Sequence, residues 1–135
     1  MYKFNKKVGF SEVDAAGVMF FARAFELFHI AYEDFMAKIN LDLHKMFLEK
    51  GTALPVVHTE ADYKKSIKLG ETVIISLEIL DIETRSYTIA YKIFGEDETL
   101  RVKGITKHVF VDASFKSASL PKEMKRILLT QKGEK

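Results

Sequence analysis

Between Phe21 and Ile39 the chain repeats apolar residues at helical spacing on two adjacent stripes. Ala24, Leu27, Phe28, Ala31 and Phe35 form one; Phe25, Tyr32 and Met36 form the second beside it. Together they cover more than roughly a third of the helix circumference, and Arg23, Glu26 and Glu33 mark the polar side. A helix lying on a surface hides a narrower arc, so this one must be wrapped by other structure. Whatever surrounds it has to come from the rest of 135 residues, a length that suits one domain spanning 1–135 with a core of its own.

The material for the wrapping is β-strand. Tyr2 to Phe10 reads as a first strand, with Tyr2, Phe4, Val8 and Phe10 mostly at even spacing. Leu41 to Lys50 reads as a shorter helix stopped by Gly51. After Pro55 the pattern becomes strands: Val56 to Tyr63, the β-branched run Thr72 to Ile82, and Tyr87 to Ile93, where Tyr87, Ile89, Tyr91 and Ile93 alternate with Thr88, Ala90 and Lys92. A hairpin turn at Gly95-Glu96-Asp97-Glu98 leads into a last long strand, Leu100 to Val111. Leu120-Pro121 opens a C-terminal helix to about Leu129, with the proline at an early helical position. Gln131 to Lys135 reads as a loose tail. Strands joined in a run by short turns predict an antiparallel sheet, hence an α+β fold with the long helix against it.

Composition removes several function classes. With no cysteine there is no disulfide, thiolate metal site or cysteine nucleophile. The net charge of +2 is spread through the chain, and the nearest thing to a basic cluster is Lys64-Lys65-Ser66-Ile67-Lys68; a nucleic-acid partner calls for a more basic domain with a recognisable motif. No window approaches a membrane span, and the N-terminus lacks the apolar core of a signal peptide, so a cytoplasmic location is expected.

The candidate for chemistry is Asp14, in the small-residue turn Asp14-Ala15-Ala16-Gly17 ahead of the apolar helix. A carboxylate there has two uses. It can cap free backbone N–H groups of a turn or of the helix. It can also act as base or nucleophile on a carbonyl polarised by those N–H groups. Gly17 lets the backbone approach a ligand closely. His29 sits at the margin of the apolar arc, as a core histidine or as a residue shaping a pocket. His58 shares a strand with Glu60 and Asp62, but no ligand spacing supports a metal there. His44 and His108 carry no functional expectation.

These residues resemble a known family. Asp14-Ala15-Ala16-Gly17-Val18, then Phe20-Phe21 and His29-Ile30-Ala31-Tyr32-Glu33, are similar to hotdog-fold acyl-CoA thioesterases of the 4-hydroxybenzoyl-CoA thioesterase type. So are Ala53-Leu54-Pro55-Val56-Val57-His58, Asp62-Tyr63, Gly70-Glu71, Val109-Phe110-Val111-Asp112 and Leu120-Pro121, so the likeness covers nearly the whole chain. Within the family it most resembles the branch that hydrolyses 1,4-dihydroxy-2-naphthoyl-CoA. The resemblance implies a long central helix wrapped by an antiparallel sheet, and a homodimer or homotetramer with active sites between subunits. It also implies that Asp14 is the catalytic carboxylate and that the backbone N–H of Phe21, where the family usually carries Tyr, polarises the thioester carbonyl. His29 and His58 become candidates for the acyl pocket. Arg85 beside Ser86, or Lys64, Lys65 and Lys68, become candidates for the phosphates of coenzyme A. No cofactor is implied beyond the coenzyme A of the substrate. Two other functions compatible with the same residues are hydrolysis of aliphatic acyl-CoA or acyl-carrier-protein thioesters, and acyl-CoA binding without turnover.

Overall fold

The structure, a computed structural model, describes residues 2–133. Five strands, β1 (Tyr2–Lys7), β2 (Val56–Tyr63), β3 (Thr72–Ile82), β4 (Ser86–Phe94) and β5 (Leu100–Val109), form one sheet in the order β1-β3-β4-β5-β2. Every neighbouring pair is antiparallel. Three helices accompany it: α1 (Arg23–Lys38), α2 (Leu43–Lys50) and α3 (Lys122–Gly133).

α1 buries the expected stripes: Ala24, Leu27, Phe28, Ala31, Tyr32, Phe35 and Met36 are all inside, while Phe25 is half-buried. Its partners are the inward residues of the sheet, Val73, Ile75 and Leu77 on β3, Ile89, Tyr91 and Ile93 on β4, and Val102 on β5. Phe28 stacks on Tyr91, ring centres 4.5 Å apart. The helix comes so close there that a Cβ at Gly104 would lie 2.7 Å from the Phe28 ring and 2.4 Å from the Glu60 carbonyl oxygen. Glycine is what lets β5 pass between helix and neighbouring strand. Each fully buried large apolar side chain contributes roughly 1.5–3 kcal/mol, so the wide arc is the main anchor of the fold.

Several boundaries differ from the sequence expectation. The first strand ends at Lys7, not Phe10, because Val8 turns into the core and Glu12 Oε1 accepts from Gly9 N–H at 2.7 Å, closing a 3₁₀ turn over Phe10–Glu12; Phe10 is 84 % exposed. α2 begins at Leu43 because Asp42 caps it, accepting from Lys45 N–H at 3.0 Å; Gly51, at φ +67°, ends it as expected. β5 ends at Val109, with Val111 only bridging Ala53 and Ser117. The expected tail is helical as far as Gly133, because Met124, Ile127, Leu128 and Gln131 continue one inward stripe; Glu134 and Lys135 lie outside the described residues.

The two sheet edges are β1 and β2. All of β2 is exposed except half-buried Ala61, and Val56, Val57 and Tyr63 stand in solvent. No helix among the described residues is long and apolar enough to cross a membrane.

Candidate active site

Asp14 sits at the tip of a short hairpin whose stems meet at the Val13–Met19 bridge. Its N–H donates to the Val18 carbonyl at 2.9 Å, and Gly17 N–H donates to the Asp14 carbonyl at 3.0 Å. Carboxylate oxygen Oδ1 accepts from Ala16 N–H at 2.9 Å and Val18 N–H at 3.4 Å. Gly17 takes φ +76°, a conformation side-chain-bearing residues rarely adopt. Of the two uses open to the carboxylate, capping applies to its own turn and not to α1, which starts nine residues later without a side-chain cap. It occupies one oxygen. Oδ2 has no partner among the described residues, and Asp14 is exposed.

The hairpin runs straight into the turn that opens α1. Phe21 precedes the first helical residue by two positions, so it lies in the lead-in turn, not in the helix proper as the sequence suggested. Here Phe20, Phe21 and Ala22 carbonyls accept from Arg23, Ala24 and Phe25 N–H groups at 2.9, 3.3 and 3.3 Å. That tight opening consumes the donors of residues 23–25. It leaves the N–H groups of Phe21 and Ala22 without a partner among the described residues, at the positive end of the helix dipole. The Tyr63 hydroxyl, from the end of β2, donates to the Phe21 carbonyl. Beside this turn lies a cleft of about 370 Å³ lined by Val18, Met19, Phe21, Tyr63, Lys64, Lys65, Ser66, Ile67 and Val102. Its lining is mainly apolar, with Lys64 and Lys65 among the residues around it.

The remaining sequence candidates are elsewhere in the protomer. His29 projects from the outer face of α1, with Nε2 2.7 Å from Glu33. His58 is exposed on β2, 3.2 Å from Glu60 and five residues from Tyr63, about 17 Å at ~3.3 Å per residue. Arg85 ends the turn joining β3 to β4 and Ser86 opens β4; Arg85 Nη1 donates to Ser117 Oγ at 3.3 Å and buried Ser86 reaches Glu83 at 3.4 Å. The Asp14 hairpin adjoins the opposite end of β3, bridged from Val18 to Lys68, so the length of an eleven-residue strand separates the two groups. One protomer therefore unites Asp14, Gly17 and Phe21, and leaves His58, Arg85 and Ser86 at the far end. Among the described residues no group of three or more His, Asp or Glu side chains could hold a metal.

That far end contains a buried polar cluster. His108 stacks on Tyr32 at 4.2 Å and Tyr87 at 5.2 Å between ring centres. Its Nδ1 lies 3.0 Å from the Leu54 carbonyl, which can only accept, so Nδ1 carries the proton. Nε2 then accepts from the Thr106 hydroxyl at 2.9 Å, and Thr106 Oγ1 accepts from the Tyr91 hydroxyl at 2.7 Å. Burial holds the imidazole neutral, its pKa pushed down to about 4 against the weaker opposing pull of the Leu54 carbonyl.

Residues 8–128 match the thioesterase-like superfamily. The chain belongs to that superfamily. Among its relatives is a 1,4-dihydroxy-2-naphthoyl-CoA hydrolase from Nostoc punctiforme, 33 % identical over 132 residues, 97 % of this chain and 88 % of that one. A solved 1,4-dihydroxy-2-naphthoyl-CoA thioesterase from Synechocystis superposes with a TM-score of 0.88 at 25 % identity, covering 95 % of each chain. A DHNA-CoA thioesterase from Staphylococcus aureus shares the fold with a TM-score of 0.89 at 22 % identity, over 95 % of this chain and 88 % of that one. The helix wrapped by an antiparallel sheet is the hotdog fold.

Tyr63 is the site residue that sequence reasoning passed over. It entered the sequence reading only as the end of a strand and within the Asp62-Tyr63 pair of the family resemblance, without a role, and strand alternation does not say that its hydroxyl reaches the lead-in turn.

Proposed function

We propose that the protein hydrolyses an acyl-CoA thioester with an aromatic acyl group, and that Asp14 and the Phe21 N–H carry the chemistry. One observation bears most of this reading: a carboxylate with one oxygen held by its own turn and one free stands on a hairpin that leads directly into an unpartnered N–H at a helix start. The thioester carbonyl oxygen accepts from Phe21 N–H, which stabilises the negative charge developing there. Asp14 Oδ2 either attacks the carbonyl carbon, expelling the CoA thiolate and leaving a mixed anhydride that water opens, or takes a proton from the attacking water. Both routes consume one water and yield a carboxylate and free thiol. Single-turnover hydrolysis in ¹⁸O-water identifies the anhydride route when water opens it at the Asp14 carbonyl carbon: unlabelled Asp14 oxygen then passes into the first product and the label into Asp14, whereas direct attack of water on the thioester labels the product and leaves Asp14 unlabelled.

The aromatic preference rests on the names of the similar proteins and on the aromatic residues Phe20, Phe21 and Tyr63 around the turn, with the Phe20 and Phe21 rings 4.8 Å apart. Thiol release from a panel containing 1,4-dihydroxy-2-naphthoyl-CoA, 4-hydroxybenzoyl-CoA and straight-chain acyl-CoAs tests it. A medium-chain substrate best by tenfold removes the aromatic assignment and leaves the hydrolase. Binding of every thioester without thiol release removes the hydrolase.

The assembly belongs to the same proposal. β2 is an edge strand with both faces open and three exposed apolar residues, an arrangement that invites a second copy. Antiparallel pairing of β2 with its twin, centred on the strand, sets Tyr63 of one protomer against Val56 and near His58 of the other. The far-end candidates His58, Arg85 and Ser86 then serve the partner's Asp14, as acyl contact and phosphate contacts, with His29 at the pocket margin. Light scattering at micromolar concentration checks it: a fully active monomer overturns the shared site. A cytoplasmic setting without nucleic-acid or membrane partners completes the reading.

A further inference from the structure

Only the stems of the Asp14 hairpin, Val13 and Met19, pack against the core; its tip, Asp14, Ala15 and Ala16, is exposed. Beyond those stems it is held by backbone bonding to the strap of residues 64–71 that joins β2 to β3. Met19 N–H donates to the Ile67 carbonyl at 2.6 Å, and Leu69 N–H donates to the Gly17 carbonyl at 2.9 Å. The lead-in turn of α1 takes its position from a different body, the packed helix and sheet. The distance from the Asp14 carboxylate to the Phe21 N–H therefore depends on how firmly the strap is fixed to the sheet.

Arg101, near the start of β5, makes that attachment. It is only 7 % exposed. Nη1 donates to the Ser66 carbonyl at 2.8 Å and to Glu71 Oε1 at 2.9 Å; Nη2 meets Glu71 Oε2 at 2.5 Å and Asp97 Oδ1 at 3.1 Å; Nε donates to Thr99 Oγ1 at 2.9 Å. Glu71 Oε1 also accepts from Lys68 N–H at 3.1 Å. The Arg101 carbonyl accepts from Lys64 and Lys65 N–H groups at 2.7 and 3.2 Å, so the same residue grips the strap at both ends. Gly95 makes room: a Cβ there would lie 2.1 Å from Nη2. A two-pronged guanidinium–carboxylate pair fixes direction as well as distance, which a lysine ammonium cannot do.

We propose that Arg101 is a positioning residue for hydrolysis: through the strap it sets the Asp14 hairpin against the Phe21 N–H, and Gly95 is required for it to do so. This rests on the thioesterase reading. Misplacement of a reacting group by about 1 Å can cost about a hundredfold in rate, whereas a residue that only stabilised the fold would leave turnover per folded molecule untouched.

The test compares Arg101→Lys, Gly95→Ala and the milder Glu71→Gln, each at a temperature where circular dichroism shows it folded. Two quantities are read: kcat and KM on the best aryl-CoA thioester, and amide hydrogen exchange at Met19 and Leu69 against Ile89 and Tyr91 in β4. In whichever of the three fold, kcat should fall tenfold or more for Arg101→Lys and Gly95→Ala, less for Glu71→Gln, with KM within about threefold. Exchange at Met19 and Leu69 should quicken at least tenfold while β4 stays protected. Unchanged kcat in folded variants overturns the proposal even if exchange quickens. A fall in kcat with unchanged exchange at the hairpin overturns the route through the strap. If the wild type releases no thiol from any thioester, the hydrolase reading fails, and exchange alone then decides whether Arg101 holds the hairpin.

Discussion

Asp14 and His108, at opposite ends of the sheet, have their hydrogen-bonding capacity used in opposite ways. At the Asp14 end a carboxylate stands exposed on a hairpin of small residues, one oxygen unused, next to backbone donors that also lack partners. At the His108 end an imidazole, a threonine and three tyrosines are buried, with a definite donor and acceptor assigned along the His108–Thr106–Tyr91 chain. Both ends contain groups that look catalytic in a one-line sequence. The difference is satisfaction: spare hydrogen-bonding capacity marks the groups that can meet a reacting carbonyl, and closed networks, that of His108 at one end and that of Arg101 beside the hairpin at the other, hold the fold in place.

The sharpest way to break this comparison is Asp14→Asn. The amide keeps the size and the acceptor that serve Ala16 and Val18, and removes the charge. Turnover should fall by about a thousandfold or more, on the order of 4 kcal/mol of barrier, with the urea midpoint almost unmoved. Near-normal thiol release by a folded variant would falsify the role given to the exposed end.

His108→Leu should do the reverse. It leaves the Leu54 carbonyl without its partner and the Thr106 hydroxyl without an acceptor for its proton, and should cost about 3 kcal/mol of stability, with kcat per folded molecule retained. The same residue makes stability depend on pH. Its folded pKa is about 4 against an ordinary 6.5, so between those values the unfolded chain binds the proton and the folded one does not. Its contribution is intact above pH 6.5, declines as pH falls, and levels off below 4, about 3 kcal/mol in all. Denaturant melts at pH 7 and pH 4 should show this extra loss in the wild type relative to His108→Leu. Equal losses in the two proteins would mean that the imidazole is not held neutral.

The contrast also explains what was legible in the sequence. The α1 stripes and the alternation of β4 follow from local periodicity, and burial obeyed both. Asp14 was legible because turn, glycine and apolar helix are adjacent in the chain. Arg101 and His108 were not, since their partners lie at Glu71, Ser66, Leu54 and Tyr32, far off in sequence. The misplaced ends of β1 and α2 share a cause: Glu12 and Asp42 each capture a backbone N–H three residues away and redirect the chain before the apolar pattern runs out.

Gly17→Ala sharpens the comparison at the exposed end. The φ of +76° strains any side chain there although the space is open, so the cost is conformational, about 1–2 kcal/mol. If the hairpin matters mainly through its shape, kcat should fall more than stability alone explains. Thermal melts beside kinetics check this, and a loss of stability with kcat unchanged would show that the turn tolerates the change.

The smallest expected effect belongs to Tyr63→Phe, which removes one hydroxyl and nothing else. That hydroxyl donates to the Phe21 carbonyl and is partly open to solvent, so the bond contributes about 1 kcal/mol at most. Stability should hardly change, because water replaces the donor. Turnover should fall a few-fold if the bond's main effect is to keep the Phe21 N–H aimed at the carbonyl. The effect should appear in kcat with KM nearly constant, since aim matters most as charge develops on the substrate oxygen. Combining Tyr63→Phe with Asp14→Asn gives the decisive form of the measurement. If the hydroxyl works only by aiming the donor beside the carboxylate, its effect should shrink once the carboxylate is gone. Full additivity would instead make the Tyr63 bond an independent part of the fold, and the exposed end a looser assembly than its neighbouring bonds suggest.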